Sequence, residues 1–249
     1  MARYLVTGSR GFLGSHLVSR LEASGHTVLR GDREGNISEP VDIIIDTASY
    51  GNLWGQNDVK EIYKANVERV KKLLNNSSKY KKVILTSTSS VNLPVQTPYS
   101  ESKKRMEEIG QEYKATIIRP YTIYGIGDYK DHLIPKIFRS CLVKEPMNLA
   151  MAPVHDYVWV EDLVDLYISE PEGIIEFGTG VPAYNSSVVL LIEQITQGLA
   201  FIEKFEEARP YDAVNWFAEK QHNLATTMLM EGLVQIYADY KQRSQTAYS

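Results

Sequence analysis

Thr7-Gly8-Ser9-Arg10-Gly11-Phe12-Leu13-Gly14 decides the fold. It follows a short apolar run, Arg3 to Thr7, and opens a helical pattern carrying Phe12, Leu17, Val18 and Leu21. The spacing is G-x-x-G-x-x-G. Gly8 suits a tight turn, Gly11 the close approach of a pyrophosphate to the backbone, and Gly14 the close packing of helix on strand. The helix N-terminus then offers oriented N–H groups to an anion. Glycines alone are a weak signal, but strand, turn and helix at the start of a βαβ chain predict a dinucleotide site.

Working outward, His26 to Arg30, Val41 to Asp46, Lys82 to Ser87 and Ala115 to Arg119 read as further strands. Near-continuous apolar runs such as Val41-Asp42-Ile43-Ile44-Ile45 fit a parallel sheet covered on both faces. Crossover helices fit between them, one over Gln56 to Asn75 and another starting near Tyr99. The pattern predicts an α/β fold, a doubly wound parallel Rossmann sheet whose ligand lies beyond the carboxyl ends of the strands. After Gly125 the pattern changes to a loop, a helix from about His132 to Val143 and short strands around Asn148 and Tyr157, ending in a helix from about Leu224 to Lys241. This divides the chain into a dinucleotide-binding domain, 1–125, and a small mixed C-terminal substrate lobe, 126–249, interleaved with the final Rossmann elements.

Composition excludes several classes. With 43% hydrophobic residues the chain of 249 can bury a core, and one cysteine, Cys141, cannot build a disulfide scaffold. A net charge of −4 gives no global field for nucleic acid or anionic membranes. The N-terminus turns glycine-rich too soon for a signal peptide, and no apolar run reaches spanning length, which predicts a cytoplasmic, reduced protein. No His/Cys/carboxylate spacing suggests a metal site.

The choice of dinucleotide turns on the end of the second strand. An acidic residue there takes the ribose hydroxyls of NAD, whereas arginines take the 2′-phosphate of NADP. The segment is Val28-Leu29-Arg30-Gly31-Asp32-Arg33, and Arg10 adds a third guanidinium. A bidentate fork suits phosphate, so NADP(H) is favoured, with NAD(H) through Asp32 as the alternative.

Tyr99-Ser100-Glu101-Ser102-Lys103 places a phenol and an ammonium four residues apart on one helix face. The ammonium is expected to lower the phenol from its ordinary pKa of about 10, making it useful in acid-base chemistry. Tyr237 and Lys241 repeat the spacing, but only Tyr99 follows a strand ending in hydroxyls, Leu85-Thr86-Ser87-Thr88-Ser89-Ser90.

These motifs together resemble the extended short-chain dehydrogenase/reductase family, the NAD-dependent nucleotide-sugar epimerases, dehydratases and reductases. The resemblance covers most of the chain. The family's T-G-x-x-G-F-x-G is matched from Thr7 to Gly14, its small-residue segment after the fourth strand by Asp46-Thr47-Ala48-Ser49, and its helical asparagine by Asn66. Its catalytic Ser or Thr lies three residues before a valine, and counting back from Val91 selects Thr88, with Ser87 and Ser89 as alternatives. Tyr99 and Lys103 match its catalytic pair. Arg119-Pro120-Tyr121-Thr122-Ile123-Tyr124-Gly125 resembles R-P-x-N-x-Y-G, and His155-Asp156-Tyr157-Val158-Trp159-Val160-Glu161-Asp162 resembles R-D-F-V-Y-V-x-D.

The resemblance implies that Tyr99 exchanges a proton with a sugar hydroxyl or ketone, Lys103 binds the nicotinamide ribose, and Thr88 hydrogen-bonds the reacting oxygen. Gly8, Arg10, Gly11, Phe12, Leu13, Gly14, Thr47, Ala48, Ser49, Asn66, Pro120 and Tyr121 would line the cofactor; Thr122, His132, His155 and Arg209 would face substrate. A homodimer through the Tyr99 helix and the preceding crossover helix is implied too. The chain departs from the family in a short loop, Asn92 to Pro98, before Tyr99, and in Thr122 and His155 where asparagine and arginine are usual. Ser89-Ser90 replace the Asp-Glu of 4,6-dehydratases, and Ser90 stands where fucose synthases carry a cysteine. What remains is a 4-ketosugar reductase or a 4-epimerase. A dinucleotide-binding sensor without turnover, or a reductase of small non-nucleotide carbonyls, are the alternatives.

Overall fold

A computed structural model describes residues 1–31, 34–53, 55–209, 212 and 216–246. The chain begins β1 (Arg3–Thr7), α1 (Phe12–Ala23), β2 (Thr27–Arg30), β3 (Ile43–Asp46), α2 (Val59–Tyr63), a π-helical turn (Lys64–Glu68), α3 (Arg69–Leu74), β4 (Lys82–Thr86), α4 (Pro98–Glu112) and β5 (Thr116–Pro120). It continues through β6 (Thr122–Tyr124), α5 (Leu133–Val143), β7 (Met147–Leu149), β8 (Val154–Trp159), α6 (Val160–Ile168) and β9 (Ile174–Phe177). The last elements are β10 (Pro182–Tyr184), α7 (Asn185–Thr196), β11 (Ile202–Phe205) and α8 (Leu229–Thr246). Two compact units result: Met1–Pro120 with Leu163–Phe177, and Tyr121–Asp162 with Gly178–Ser249.

The first unit is a six-stranded sheet in the order β2-β1-β3-β4-β5-β9, with every neighbouring pair parallel. Its central strands β1, β3, β4 and β5 are covered on both faces, as their unbroken apolar runs require. Alternation along each strand sorts the side chains. Leu5, Ile44, Val83 and Leu85 pack with Val70, Leu73 and Leu74 of α3 and Met106 and Ile109 of α4. Tyr4, Val6, Ile43, Ile45 and Ile84 are equally buried toward the opposite face, where α1 packs on β1. Because β2 and β3 lie on either side of β1, the winding reverses there, and a crevice opens beyond its carboxyl end. The glycine turn leaves β1 at that point.

Two expectations need correction. The helix expected over Gln56 to Asn75 starts at Val59, where Asp58 caps it by accepting from Lys60 N and Glu61 N at 2.9 and 3.2 Å. The π-helical turn then interrupts it. The last helix starts at Leu229 rather than Leu224, because the Asp162 carboxylate takes the backbone N–H groups of Thr226 and Thr227 at 2.8 and 2.7 Å.

In the second unit β8 lies between β6, parallel, and β10, antiparallel, while β7 and β11 form a separate parallel pair. Phe138, Cys141, Tyr157, Trp159, Val188 and Leu233 belong to its core. Among the described residues no helix is long and apolar enough to cross a membrane.

Candidate active site

The glycine turn is shaped by backbone contact. Gly8 adopts φ +64°, and a Cβ there would stand 2.8 Å from Ala48 N. At Gly14 a Cβ would stand 2.1 Å from the Gly8 carbonyl oxygen, so only glycine lets α1 approach β1 this closely. Gly11 is exposed, and its N–H donates to Gly8 O at 2.8 Å. As N-cap of α1 it offers no side chain to the first-turn amides, and that turn holds no acidic residue. The Phe12, Leu13 and Gly14 N–H groups thus face an anion's position with the helix dipole behind them. A dinucleotide pyrophosphate fits here.

Beside the turn, residues 46 to 50 are tied down from several sides. Thr47 Oγ1 donates to Thr7 O at 2.7 Å, and Thr7 Oγ1 donates to Asp46. Asn66, inside the π-helical turn, accepts from Tyr50 N at 3.0 Å and donates to Tyr50 O at 2.8 Å and Ser102 Oγ at 2.9 Å. Arg69 grips Asp46 with two nitrogens at 2.8 and 3.0 Å and also donates to Ala48 O at 3.1 Å. Amid this network Ser49 Oγ is buried with no hydrogen-bond partner among the described residues. A buried hydroxyl left unpaired in a clamped turn is one a bound molecule can satisfy.

α4 supplies the Tyr99 and Lys103 side chains. Thr97 and Ser100 form a reciprocal capping box around Pro98, which fixes Tyr99 in the first turn. Lys103, 1% exposed, donates from Nζ to Thr86 O at 2.8 Å and sits 5.9 Å from the Tyr99 ring centre. Ser87 donates to Glu107, and Ser89 to Pro120 O at 2.9 Å, so both alternatives to Thr88 serve buried structural partners. Among the described residues Thr88 Oγ1 meets only Ser90, its hydroxyl at 2.9 Å and its backbone N–H at 3.2 Å. These residues lie at the carboxyl edge of the first unit's sheet.

The second unit holds its own cluster. His155 pairs with Trp216 through an isolated β-bridge, and their rings are 6.0 Å apart; Tyr121 lies 5.9 Å from the same indole. His155 Nδ1 and Trp216 Nε1 are both buried without hydrogen-bond partners among the described residues. Arg209 is paired with Asp212 at 2.5 Å, and Thr122 lies in β6 opposite Tyr157. His132, the N-cap of α5, holds the Asp128 carboxylate at 2.8 Å and is not part of this aromatic cluster. Asp156 organises the neighbourhood by accepting from Thr179 N, Gly180 N and Ala218 N at 2.9, 2.9 and 3.1 Å.

A family model described as the NAD dependent epimerase/dehydratase family matches residues 4–62 and 36–169. The chain belongs to that family. CDP-abequose synthase of Salmonella typhimurium is 28% identical, with 72% of each chain covered. Among solved structures, MoeE5 in complex with UDP-glucose and NAD is 22% identical with a TM-score of 0.85, covering 98% of this chain and 99% of that one. UDP-glucose 4-epimerase of Thermotoga maritima, solved with UDP-glucose, is 20% identical with a TM-score of 0.81, covering 98% and 99%. These structures share the fold of this epimerase/dehydratase family member. It is an enzyme of the extended short-chain dehydrogenase/reductase type, dependent on a nicotinamide dinucleotide.

The electrostatics of this family member differ from expectation at one point. Burial pushes the Tyr99 phenol above its ordinary value; Ser49 draws it partly back, although the two hydroxyls are outside hydrogen-bond geometry. The expected depression by Lys103 is therefore absent. Burial also drives the Lys103 ammonium down, to about 8. Of the expected phosphate-binding arginines, Arg30 is paired with Glu22 at 2.9 Å, Arg10 is exposed, and Arg33 lies outside the described residues, as does Asp32, the alternative contact for NAD. Sequence reasoning missed Trp216, which stands in Val214-Asn215-Trp216-Phe217-Ala218 with no motif around it, and Arg69, which no pattern singles out.

Proposed function

We propose that this enzyme acts on the 4-position of a nucleotide-linked sugar, reducing a 4-ketosugar or epimerising through one, with Tyr99 as its acid-base residue. The observation that carries this is the Tyr99 and Lys103 pair on α4 at the carboxyl edge of the sheet that bears the glycine turn. When bound, the nicotinamide ring supplies or accepts a hydride. The chain's part is orientation and proton transfer. The α1 amides hold the pyrophosphate, Ser49, Asn66 and Pro120 lie toward the nicotinamide half, and Lys103 binds the ribose. Thr88 donates a hydrogen bond to the reacting oxygen.

Reduction is favoured over epimerisation. A phenol whose pKa is raised by burial stays protonated at neutral pH and is set to give its proton to a ketone oxygen. Ser89 and Ser90 offer no carboxyl for elimination. A relative named for a CDP-linked sugar supports a nucleotide-sugar substrate. NADP(H) is favoured through Arg10 and Arg30, with NAD(H) as the alternative. Mass spectrometry of cofactor released from purified protein, together with NADPH oxidation by a panel of 4-ketosugar nucleotides, tests this reading. Exchangeable NADPH with turnover is expected; tightly retained NAD without NADPH turnover would establish epimerisation.

Substrate contacts are assigned to His155 and Arg209, with Thr122 and His132 as further expected contacts, and Trp216 joins them through its pairing with His155. Two buried ring nitrogens without partners are suited to polar atoms of a ligand. Trp216→Ala is expected to raise KM for the sugar nucleotide about tenfold, through lost ring contact of order 1 kcal/mol, without changing dinucleotide affinity. Isothermal titration with each ligand separately reads the two halves.

A further inference from the structure

Asp46 is fully buried and Arg69 is 7% exposed, and the chemistry described so far uses neither. A buried ion pair is a poor way to stabilise a fold, because desolvation offsets its attraction and an apolar pair of similar volume commonly does as well. Its surroundings point to another role. Asp46 ends β3 in register with Leu85, one residue before Thr86, and the Thr86 carbonyl is what accepts Lys103 Nζ. Arg69 joins the Asp46 carboxylate to Ala48 O, inside the turn that carries the unpaired Ser49 hydroxyl. The π-helical turn delivers Asn66 and Arg69 together, so that both ends of residues 46–50 are held from one helix.

We propose that Asp46 and Arg69 are positioning residues for Lys103. Asp46 supplies the counter-charge that keeps the ammonium at the end of β4, and Arg69 holds that carboxylate and the adjoining turn in one arrangement. This rests on the assignment of Lys103 to the reaction. The polar and charged surroundings of Lys103 support it: Asp46 on β3, Arg69 on α3, Glu107 and the Tyr99 ring on its own helix, and the Tyr167 phenol of α6 on the Thr86 hydroxyl at 2.6 Å. Burial pulls the ammonium down to about 8; Asp46 opposes that most strongly, Arg69 adds to it, and Glu107 opposes it.

The test follows the titration of Lys103 by NMR of its labelled ε-carbon in full-length, ligand-free protein, with Lys103→Arg identifying the signal. Asp46→Asn is expected to lower the midpoint by about one pH unit and Arg69→Met to raise it. Each leaves a buried charge unpaired and is expected to melt below wild type. The double variant, Asp46→Asn with Arg69→Met, removes both charges and is expected to recover the melting temperature. Its midpoint should fall between those of Asp46→Asn and wild type. A pair that only clamps residues 46–50 and lies outside the field of the ammonium would move none of these midpoints, so an unchanged titration in any folded variant overturns the proposal, as does a shift in the same direction for both single variants. Wild-type protein that binds neither NADH nor NADPH would overturn the oxidoreductase assignment alone, because the Lys103 titration is read without cofactor.

Discussion

Tyr99→Phe is expected to lower kcat by about 10²- to 10⁴-fold while leaving dinucleotide affinity within about twofold of wild type. The substitution removes one oxygen and keeps the ring, so the 5.9 Å approach of Lys103 to its centre and the Thr97 capping box are undisturbed. What disappears is the proton that balances hydride delivery to a ketone. The size follows from the loss of a positioned acid, and its selectivity for kcat over binding separates chemistry from architecture. Turnover of a 4-ketosugar nucleotide with NADPH, alongside fluorescence titration of NADPH, measures both quantities. An unchanged kcat would remove Tyr99 from the reaction. The sign of the pH dependence is fixed as well: because the phenol is raised, proton donation persists through neutral pH and is lost only on the alkaline side.

Gly14→Ala has the second large effect, on the scaffold. Its Cβ would stand 2.1 Å from the Gly8 carbonyl oxygen and 2.7 Å from the carbonyl carbon, and neither backbone atom can rotate away. α1 must lift off β1, which costs roughly 1–3 kcal/mol or more by overpacking. For a chain of this size about 2–3 kcal/mol corresponds to a melting temperature lower by ~5–10 °C. The amides of Phe12 and Leu13 move with the helix, so NADPH affinity is expected to fall by at least about tenfold, as fluorescence titration would show. Gly25→Ala is the control. Its φ of +80° makes alanine strained by about 1–2 kcal/mol, but nothing lies within 4 Å of the new methyl and dinucleotide affinity should be unchanged. Equal loss of binding in both variants would mean that destabilisation alone, rather than the turn, controls affinity.

The fold was legible where the signal is local and periodic. Glycine spacing after β1 and the apolar runs of β3 and β4 follow from backbone sterics and burial, which act over a few residues. The Tyr99 and Lys103 spacing likewise gave adjacency on a helix, but spacing carries no information on desolvation, and desolvation decides the direction in which both groups shift. The π-helical turn was illegible because its cause is tertiary: Asn66 and Arg69 reach across to Tyr50, Asp46 and Ala48. Asp46 itself looks in sequence like an ordinary polar strand end, and its partner lies in another element. Arg30 shows the same gap: a guanidinium at a strand exit reads as a phosphate ligand, and the Glu22 carboxylate that the fold sets beside it is invisible in the spacing. Trp216 gained meaning only from its bridge to His155, a pairing no local pattern encodes.

The order of strands in the first unit bears on how the chain is made. β9 pairs with β5, yet Tyr121–Asp162 is translated between them. While a ribosome is delivering that segment, β5 has no outer neighbour, and its run of Ile117 and Ile118 presents an open row of N–H and C=O groups, a template for any other extended chain. A gene fragment ending at Pro120 therefore encodes an aggregation-prone sheet with an unprotected apolar edge, whereas one ending after Phe177 encodes all six strands.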